Sequence, residues 1–205
     1  MKILLLLLAL VSVAYSQDHD RLQETRWKDA YVLPHRAKAV QLTVDRIIAH
    51  KSRYKAVGSV TAVPWYVLAS LHSMEASGSF SCHLHEGSSL KWRTRYIPKG
   101  RPKTGTPPFT WEYSAIDAMQ YDDMGTKNWS RLGAALSACE VYNGTGYRRF
   151  HPSTPTPYLW SFSSVERPGK YIADSKWSST ARSGQVGVVA IWKELERRKE
   201  ISLPK

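Results

Sequence analysis

Over most of this chain the apolar positions recur at helical spacing. From Ala37 an apolar stripe of Val40, Leu42, Val44, Ile47 and Ile48 is set against a polar side carrying Arg46, Lys51, Arg53 and Lys55, and Gly58 is expected to close the segment. Thr61 is placed to cap a second helix with Pro64 in its first turn. The run Trp65-Tyr66-Val67-Leu68-Ala69-Ser70-Leu71 is apolar almost all round, which assigns that helix to the interior. It is expected to reach about Glu75 and to end in Ala76-Ser77-Gly78-Ser79. Thr110 precedes a third helix over Trp111 to Met119, with Ile116 and Met119 inward. Residues 129–142 predict a fourth, with Leu132, Leu136, Cys139 and Tyr142 at helical spacing and Gly144 and Gly146 as its stop. A last amphipathic helix at 185–198 carries Val186, Val189, Ile191 and Leu195.

Between these elements the pattern weakens. Residues 81–110 are rich in Gly, Pro and basic side chains, with Leu90, Trp92, Thr94, Tyr96 and Ile97 alternating or adjacent, which reads as a short hairpin and a loop. Residues 150–184 are aromatic, Pro-rich and irregular, and residues 17–36 suggest an N-terminal arm or short helix. No internal repeat is visible. The expectation is a mainly α fold, one domain over 37–205, with a small β-hairpin and long irregular loops.

The N-terminus changes the picture of where the chain works. Met1-Lys2 followed by the apolar run Ile3 to Val13 and by Ala14 and Ser16 reads as a signal peptide over residues 1–16, too short for a bilayer span. The expected mature product is secreted, extracellular and monomeric. Removal of Lys2 leaves a net charge of +11 from the +12 of the whole chain, which favours anionic partners such as cell walls, acidic membranes or nucleic acids without selecting among them. Cys82 and Cys139 are the two cysteines, and in an exported chain they are a candidate disulfide, with two buried free thiols as the alternative. Asn128-Trp129-Ser130 and Asn143-Gly144-Thr145 fit the glycosylation sequon.

The candidate chemistry centres on Glu75, a carboxyl closing a helix whose preceding turns are almost wholly apolar. Desolvation there raises a carboxyl pKa, and a carboxylic acid kept protonated near neutral pH is what protonation of a glycosidic oxygen requires. A solvent-facing glutamate at a helix end is the alternative. The segment Tyr142-Asn143-Gly144-Thr145-Gly146-Tyr147-Arg148-Arg149 presents a ring, an amide and exposed backbone groups together, suited to gripping an N-acetyl group and equally an ordinary helix stop.

Leu71-His72-Ser73-Met74-Glu75-Ala76-Ser77, taken with this segment, resembles the lytic transglycosylase and goose-type lysozyme superfamily. A closer resemblance, to a branch of bacterial lysozyme family proteins, rests on several further motifs. These are His83-Leu84-His85, Gly100-Arg101-Pro102-Lys103-Thr104-Gly105, Pro107-Pro108-Phe109-Thr110-Trp111, Pro157-Tyr158-Leu159-Trp160 and Gly169-Lys170-Tyr171. It covers about residues 60 to 192. It implies a lysozyme-like fold around a glycan cleft, peptidoglycan glycan strands as substrate, no cofactor, and Glu75 as general acid facing Tyr142, Asn143 and Gly144. The second catalytic group stays open among Glu86, Asp117, Asp122 and Asp123, with Glu86 preferred for its position in the loop after the Glu75 helix. In such sequences an Asp is expected where this chain has Ser88.

His85 is expected in the cleft, binding substrate or positioning Glu75, and His83, His85 and Glu86 without a third ligand pattern do not predict a metal site. Tyr158 and Trp160, and less specifically Trp92, Tyr96 and Tyr171, are candidate platforms for sugar rings. Arg93, Arg148 and Arg149 are candidate partners for peptide-stem carboxylates. A non-catalytic peptidoglycan- or chitin-binding protein, a chitin-directed enzyme and a cationic membrane-disrupting protein are the competing readings.

Overall fold

The computed structural model describes residues 17–204, so the signal-peptide reading of residues 1–16 lies outside the described residues. Residues 17–29 are helical (α1), followed by a 3₁₀ turn at Pro34–Arg36, α2 (Ala37–Ala49), α3 (Lys51–Thr61), α4 (Trp65–Ala76), α5 (Trp111–Tyr121), α6 (Leu132–Tyr142), α7 (Gly146–Phe150), α8 (Pro157–Trp160), strands β1 (Lys170–Ala173) and β2 (Lys176–Ser178), and α9 (Val188–Arg197). The chain is mainly α-helical with one small antiparallel sheet among the described residues, as the apolar spacing predicts.

The core is organised around α4. Val67, Leu68, Ala69, Ser70, Leu71 and His72 on this helix are completely buried, which is what an element apolar on every face requires, and α3 and α9 pack against it. Its two completely buried polar side chains find partners inside. Ser70 receives a hydrogen bond of 3.0 Å from the indole of Trp192 and donates to the Tyr66 carbonyl. The Tyr54 hydroxyl lies 2.9 Å from His72 Nδ1, while His72 Nε2 lies 3.0 Å from the Ser79 carbonyl. A carbonyl can only accept, so Nε2 carries the proton and Nδ1 accepts from the phenol. Burial holds this imidazole down at a pKa of about 4 and therefore neutral. The α4 helix stops where Ser77 and Gly78 enter the left-handed region and the Gly78 amide returns to the His72 carbonyl.

Several boundaries differ from the pattern. The segment from Ala37 is two helices broken at His50, and Gly58 lies inside α3 instead of closing it. Gly58 is there for closeness: a Cβ would sit 2.7 Å from the Val63 carbonyl oxygen, where the chain doubles back into α4. Thr61 does not cap α4; it ends α3, its hydroxyl donating to Val57, and Pro64 stands at the cap. The final helix begins at Val188 and the fourth at Leu132, both later than their patterns suggest. Gly144, at φ +96°, ends α6 as expected, whereas Gly146 opens α7. The N-terminal segment is a helix, and it is no loose arm: Trp27 and Ala30 belong to the core.

The hairpin lies elsewhere than expected. Residues 81–110 contain only an isolated bridge between Cys82 and Ser89, and the two-stranded sheet pairs Tyr171 with Trp177 inside the stretch read as irregular. In the 81–110 loop Leu90 and Phe109 turn inward while Trp92, Tyr96 and Ile97 point to solvent, so the apolar positions anchor a loop and never form a two-sided strand. The expected Cys82–Cys139 disulfide is also corrected, since both are free thiols. Cys139 faces the core from α6, and burial pushes its thiol up, while Cys82 stays partly exposed in the loop after α4.

An alanine at Gly58 normally strengthens a helix, but here the carbonyl of Val63 opposes it. Gly58→Ala is expected to lower unfolding free energy by about 1–3 kcal/mol in urea melts, against the gain of up to about 1 kcal/mol of an open helical site.

Candidate active site

Glu75 sits in the last turn of α4, where the free carbonyls of the helix end make the surroundings electronegative. Its carboxyl pKa is pushed up to about 7, first by burial, against a lowering hydrogen bond from Tyr158 and with a further raising contribution from the negative charge of Asp122. The Tyr158 hydroxyl donates to Glu75 Oε1 at 2.8 Å. Tyr158 belongs to α8, a single turn that starts with Pro157 and is capped by the Thr156 side chain. Burial and the adjacent Glu75 hold the phenol well above the ordinary tyrosine range, so it remains a donor.

A second phenol closes the same corner. Tyr142, at the end of α6, donates to the Leu84 carbonyl at 3.1 Å. Its pKa is raised by burial and then by the charges of Glu75 and Asp122. The loop carrying Leu84 also lies directly on the end of α4: at Gly87, with φ +80°, a Cβ would stand 2.6 Å from the Glu75 carbonyl oxygen. Any side chain there would push the loop off the helix that carries the acid.

Beside this corner runs a cleft of about 420 Å³, to which Tyr158 presents one face. Asn143 and Gly144 form its rim, as expected from the helix-stop motif, and Tyr147, Tyr171 and Gln185 complete the walls. Gln185 also donates to the Met74 carbonyl at 2.9 Å, tying the segment before α9 to the end of α4. Tyr147, Tyr171 and Trp177 pack edge to face, and His151 stacks flat on Trp177 at 3.5 Å, so the β-hairpin is fixed to α7.

Other expected site residues serve the fold. The Trp160 side chain is completely buried, its indole donating to Gln23 at 3.1 Å, and it offers no face to a ligand. Tyr158 is mostly buried, partners the acid through its hydroxyl and still lines the cleft. The His85 side chain is likewise fully buried. Its Nε2 donates to Asp117 at 2.8 Å, and Asp117 is also gripped in bidentate fashion by Arg101 at 2.7 and 2.9 Å. Burial lowers the His85 pKa, with Asp117 opposing. His85 thus braces the loop over Glu75 and stands out of reach of a substrate, and Asp117 is committed to the same brace.

Glu86 shares that loop, but its Oε1 is taken by the Ser88 hydroxyl and its Oε2 is buried without a partner among the described residues. Among the candidate carboxylates, Asp122, the exposed C-cap of α5, is the one whose negative charge contributes to raising the Glu75 pKa; its own pKa is raised first by burial of part of the group. His83 is held between Ser114 and the Trp92 carbonyl, both at 2.7 Å. Arg148 is spent on Glu140 and the Ser137 carbonyl, Arg149 lies over Phe150, and Arg93 donates to the Gly105 carbonyl. Trp92 and Tyr96 are exposed away from the cleft lining, whereas Tyr171 is part of it. Lys170, Asp174 and Gln185 also line the cleft. Lys170 belongs to the Gly169-Lys170-Tyr171 motif, Asp174 lies in the irregular stretch, where no periodicity marks a face, and Gln185 precedes a helix that begins only at Val188.

Two outcomes follow from this geometry. Because the Tyr158 hydrogen bond favours the ionised form of Glu75, Tyr158→Phe is expected to move the Glu75 pKa above about 7, read by carboxyl NMR titration. A raised folded-state pKa means that the part of the stability linked to protonated Glu75 is intact below the ordinary carboxyl pKa of 4.5, declines as pH rises and is lost above about 7. Glu75→Gln removes that loss and keeps an acceptor for Tyr158. It is expected to leave stability unchanged at pH 4 and to raise it at pH 8 by up to roughly 3 kcal/mol, measured by denaturant unfolding at the two pH values.

Comparison with known proteins finds no matching family model, no matching curated protein and no matching solved structure.

Proposed function

We propose that this chain is an exported glycosidase of lysozyme-like fold that cleaves the β-1,4 bond between N-acetylmuramic acid and N-acetylglucosamine in bacterial peptidoglycan. The observation that carries the reading is the state of Glu75, a carboxyl whose pKa burial raises to about 7 and which is fixed by the hydroxyl of Tyr158, a residue that with Met74 lines an open cleft. In this mechanism a glycan strand lies along the cleft with an N-acetyl group at Asn143 and Gly144. Glu75 gives its proton to the glycosidic oxygen as the bond to the anomeric carbon breaks, and Tyr158 then stabilises the carboxylate that is left.

The second step divides hydrolysis from transglycosylation. In hydrolysis Asp122 is the better base than Glu86, because its charge reaches Glu75 and it is exposed to the water it would activate, while Glu86 is locked to Ser88. In transglycosylation the sugar's own hydroxyl closes an anhydro ring and no second carboxylate is needed. The net positive charge of +12 suits an anionic wall polymer. The clamped Glu86 beside Ser88 also supports a second reading, a peptidoglycan- or chitin-binding protein that retains the cleft without turnover.

The test is release of soluble fragments from purified peptidoglycan, with their masses read by mass spectrometry. Wild type is expected to release muropeptides with an activity that falls as pH rises through about 7, where the acid loses its proton. Glu75→Gln is expected to lose at least about a hundredfold in rate. Asp122→Asn separates the two routes: loss of activity with reducing-end products marks hydrolysis, and retained activity with anhydro products marks transglycosylation. Wild type that binds the wall and releases nothing establishes the binding reading instead.

A further inference from the structure

Between Gly87 and Trp111 the chain contains six cations, Lys91, Arg93, Arg95, Lys99, Arg101 and Lys103, and no aspartate or glutamate. Two of these hold the loop together. Arg101 clamps Asp117, and Arg93 donates to the Gly105 carbonyl while lying over the Phe109 ring. The other four, Lys91, Arg95, Lys99 and Lys103, are exposed and take part in no ion pair among the described residues. Three large apolar side chains are exposed in the same stretch: Tyr96 at 69 % and Ile97 at 90 % stand at the tip between Thr94 and Arg101, and Trp92 at 64 % stands just before the base.

This exposure is built into the loop. Thr94, buried at its base, exchanges backbone hydrogen bonds with Arg101 at 2.8 Å and with Gly100 at 2.9 Å, and its hydroxyl accepts from the Arg101 amide and donates to the Pro98 carbonyl. A tip fixed in this way holds its aromatic and aliphatic side chains out in water, where they lose the favourable free energy of burial. None of the three lines the cleft beside Glu75, so a glycan strand in that cleft leaves them uncovered.

We infer that residues 91–103 form a docking loop for the surface of an anionic phospholipid bilayer, with Trp92, Tyr96 and Ile97 entering the interfacial layer and Lys91, Arg95, Lys99 and Lys103 meeting the lipid phosphates. Aromatic rings with a polar edge favour that layer, and a single aliphatic tip flanked by cations matches an apolar interior beneath an anionic plane. Cations alone would fit any polyanion; the three exposed apolar side chains select the bilayer. No described helix is long and apolar enough to cross a membrane, so the contact is peripheral. The inference stands on the loop alone and does not depend on glycosidase activity.

The test is co-sedimentation of the purified full-length mature protein with vesicles of equal parts phosphatidylglycerol and phosphatidylcholine, against vesicles of phosphatidylcholine alone. Wild type is expected to bind the anionic vesicles and not the zwitterionic ones, with affinity falling as salt is raised. Tyr96→Ser combined with Ile97→Ser, and separately Arg95→Glu combined with Lys99→Glu, are each expected to weaken binding by about tenfold or more at unchanged melting temperature. Loss in the charge-reversed variant with full binding in the serine variant overturns the inference, because attraction is then purely electrostatic. Absent vesicle binding together with loop-dependent binding to polyglycerol phosphate also overturns it, in favour of an anionic wall polymer.

Discussion

A carboxyl at the end of an all-apolar helix is costly to ionise, and the hydrogen bond from Tyr158 to Glu75 is the contact that makes such a group usable. Burial raises the Glu75 pKa to about 7, and the 2.8 Å bond both moderates the rise and fixes the carboxyl in one orientation. Both ends of that bond depend on distant parts of the chain. Glu75 keeps its place because α4 is buried on every side, and Tyr158 keeps its place because Trp160, two residues on, is completely buried and bonded to Gln23 of α1. The acid is therefore positioned by the core, and flexible loops contribute little to its location.

Two buried polar groups support the same corner. Beneath α4, neutral His72 links Tyr54 of α3 to the Ser79 carbonyl and so fixes the turn that follows Glu75. Above it, Asp117 joins Arg101 to His85 and holds the 83–88 loop down on the Glu75 carbonyl, where Gly87 leaves no room for a side chain. A further cluster joins α1 to α6. Burial would push Glu140 up, but hydrogen bonds from His19 and Arg148 overrule it and leave the carboxyl below its ordinary range. Each cluster is a charge or ring made affordable by partners far away in sequence.

The same principle separates expected site residues that reach the cleft from those enclosed in the fold. His85 and Trp160 carry side-chain types that often bind sugars, yet each side chain is fully enclosed, the Trp160 indole committed to Gln23 and His85 Nε2 to Asp117. Asn143 and Gly144 reach the cleft because α6 ends there and Gly144 turns the chain outward at φ +96°. Residue type indicates what a side chain can do; whether it meets solvent decides whether it does so.

What the sequence by itself determined are the features that depend on local spacing. The all-apolar run before Glu75 specified a buried helix ending in a desolvated carboxyl, and that carboxyl is found with a raised pKa. The stripes from Ala37 and from Val186, and the run from Trp111 to Met119, likewise marked helices, because helical periodicity is written within a few turns. Only the tertiary structure decided which candidate carboxylate contributes to raising the Glu75 pKa, that Tyr158 is the partner of Glu75, that the hairpin lies at 170–178, and that Cys82 and Cys139 stay apart. Those facts depend on pairs of residues far apart along the chain, such as the 83 positions between Glu75 and Tyr158, and no local pattern records which distant segments meet.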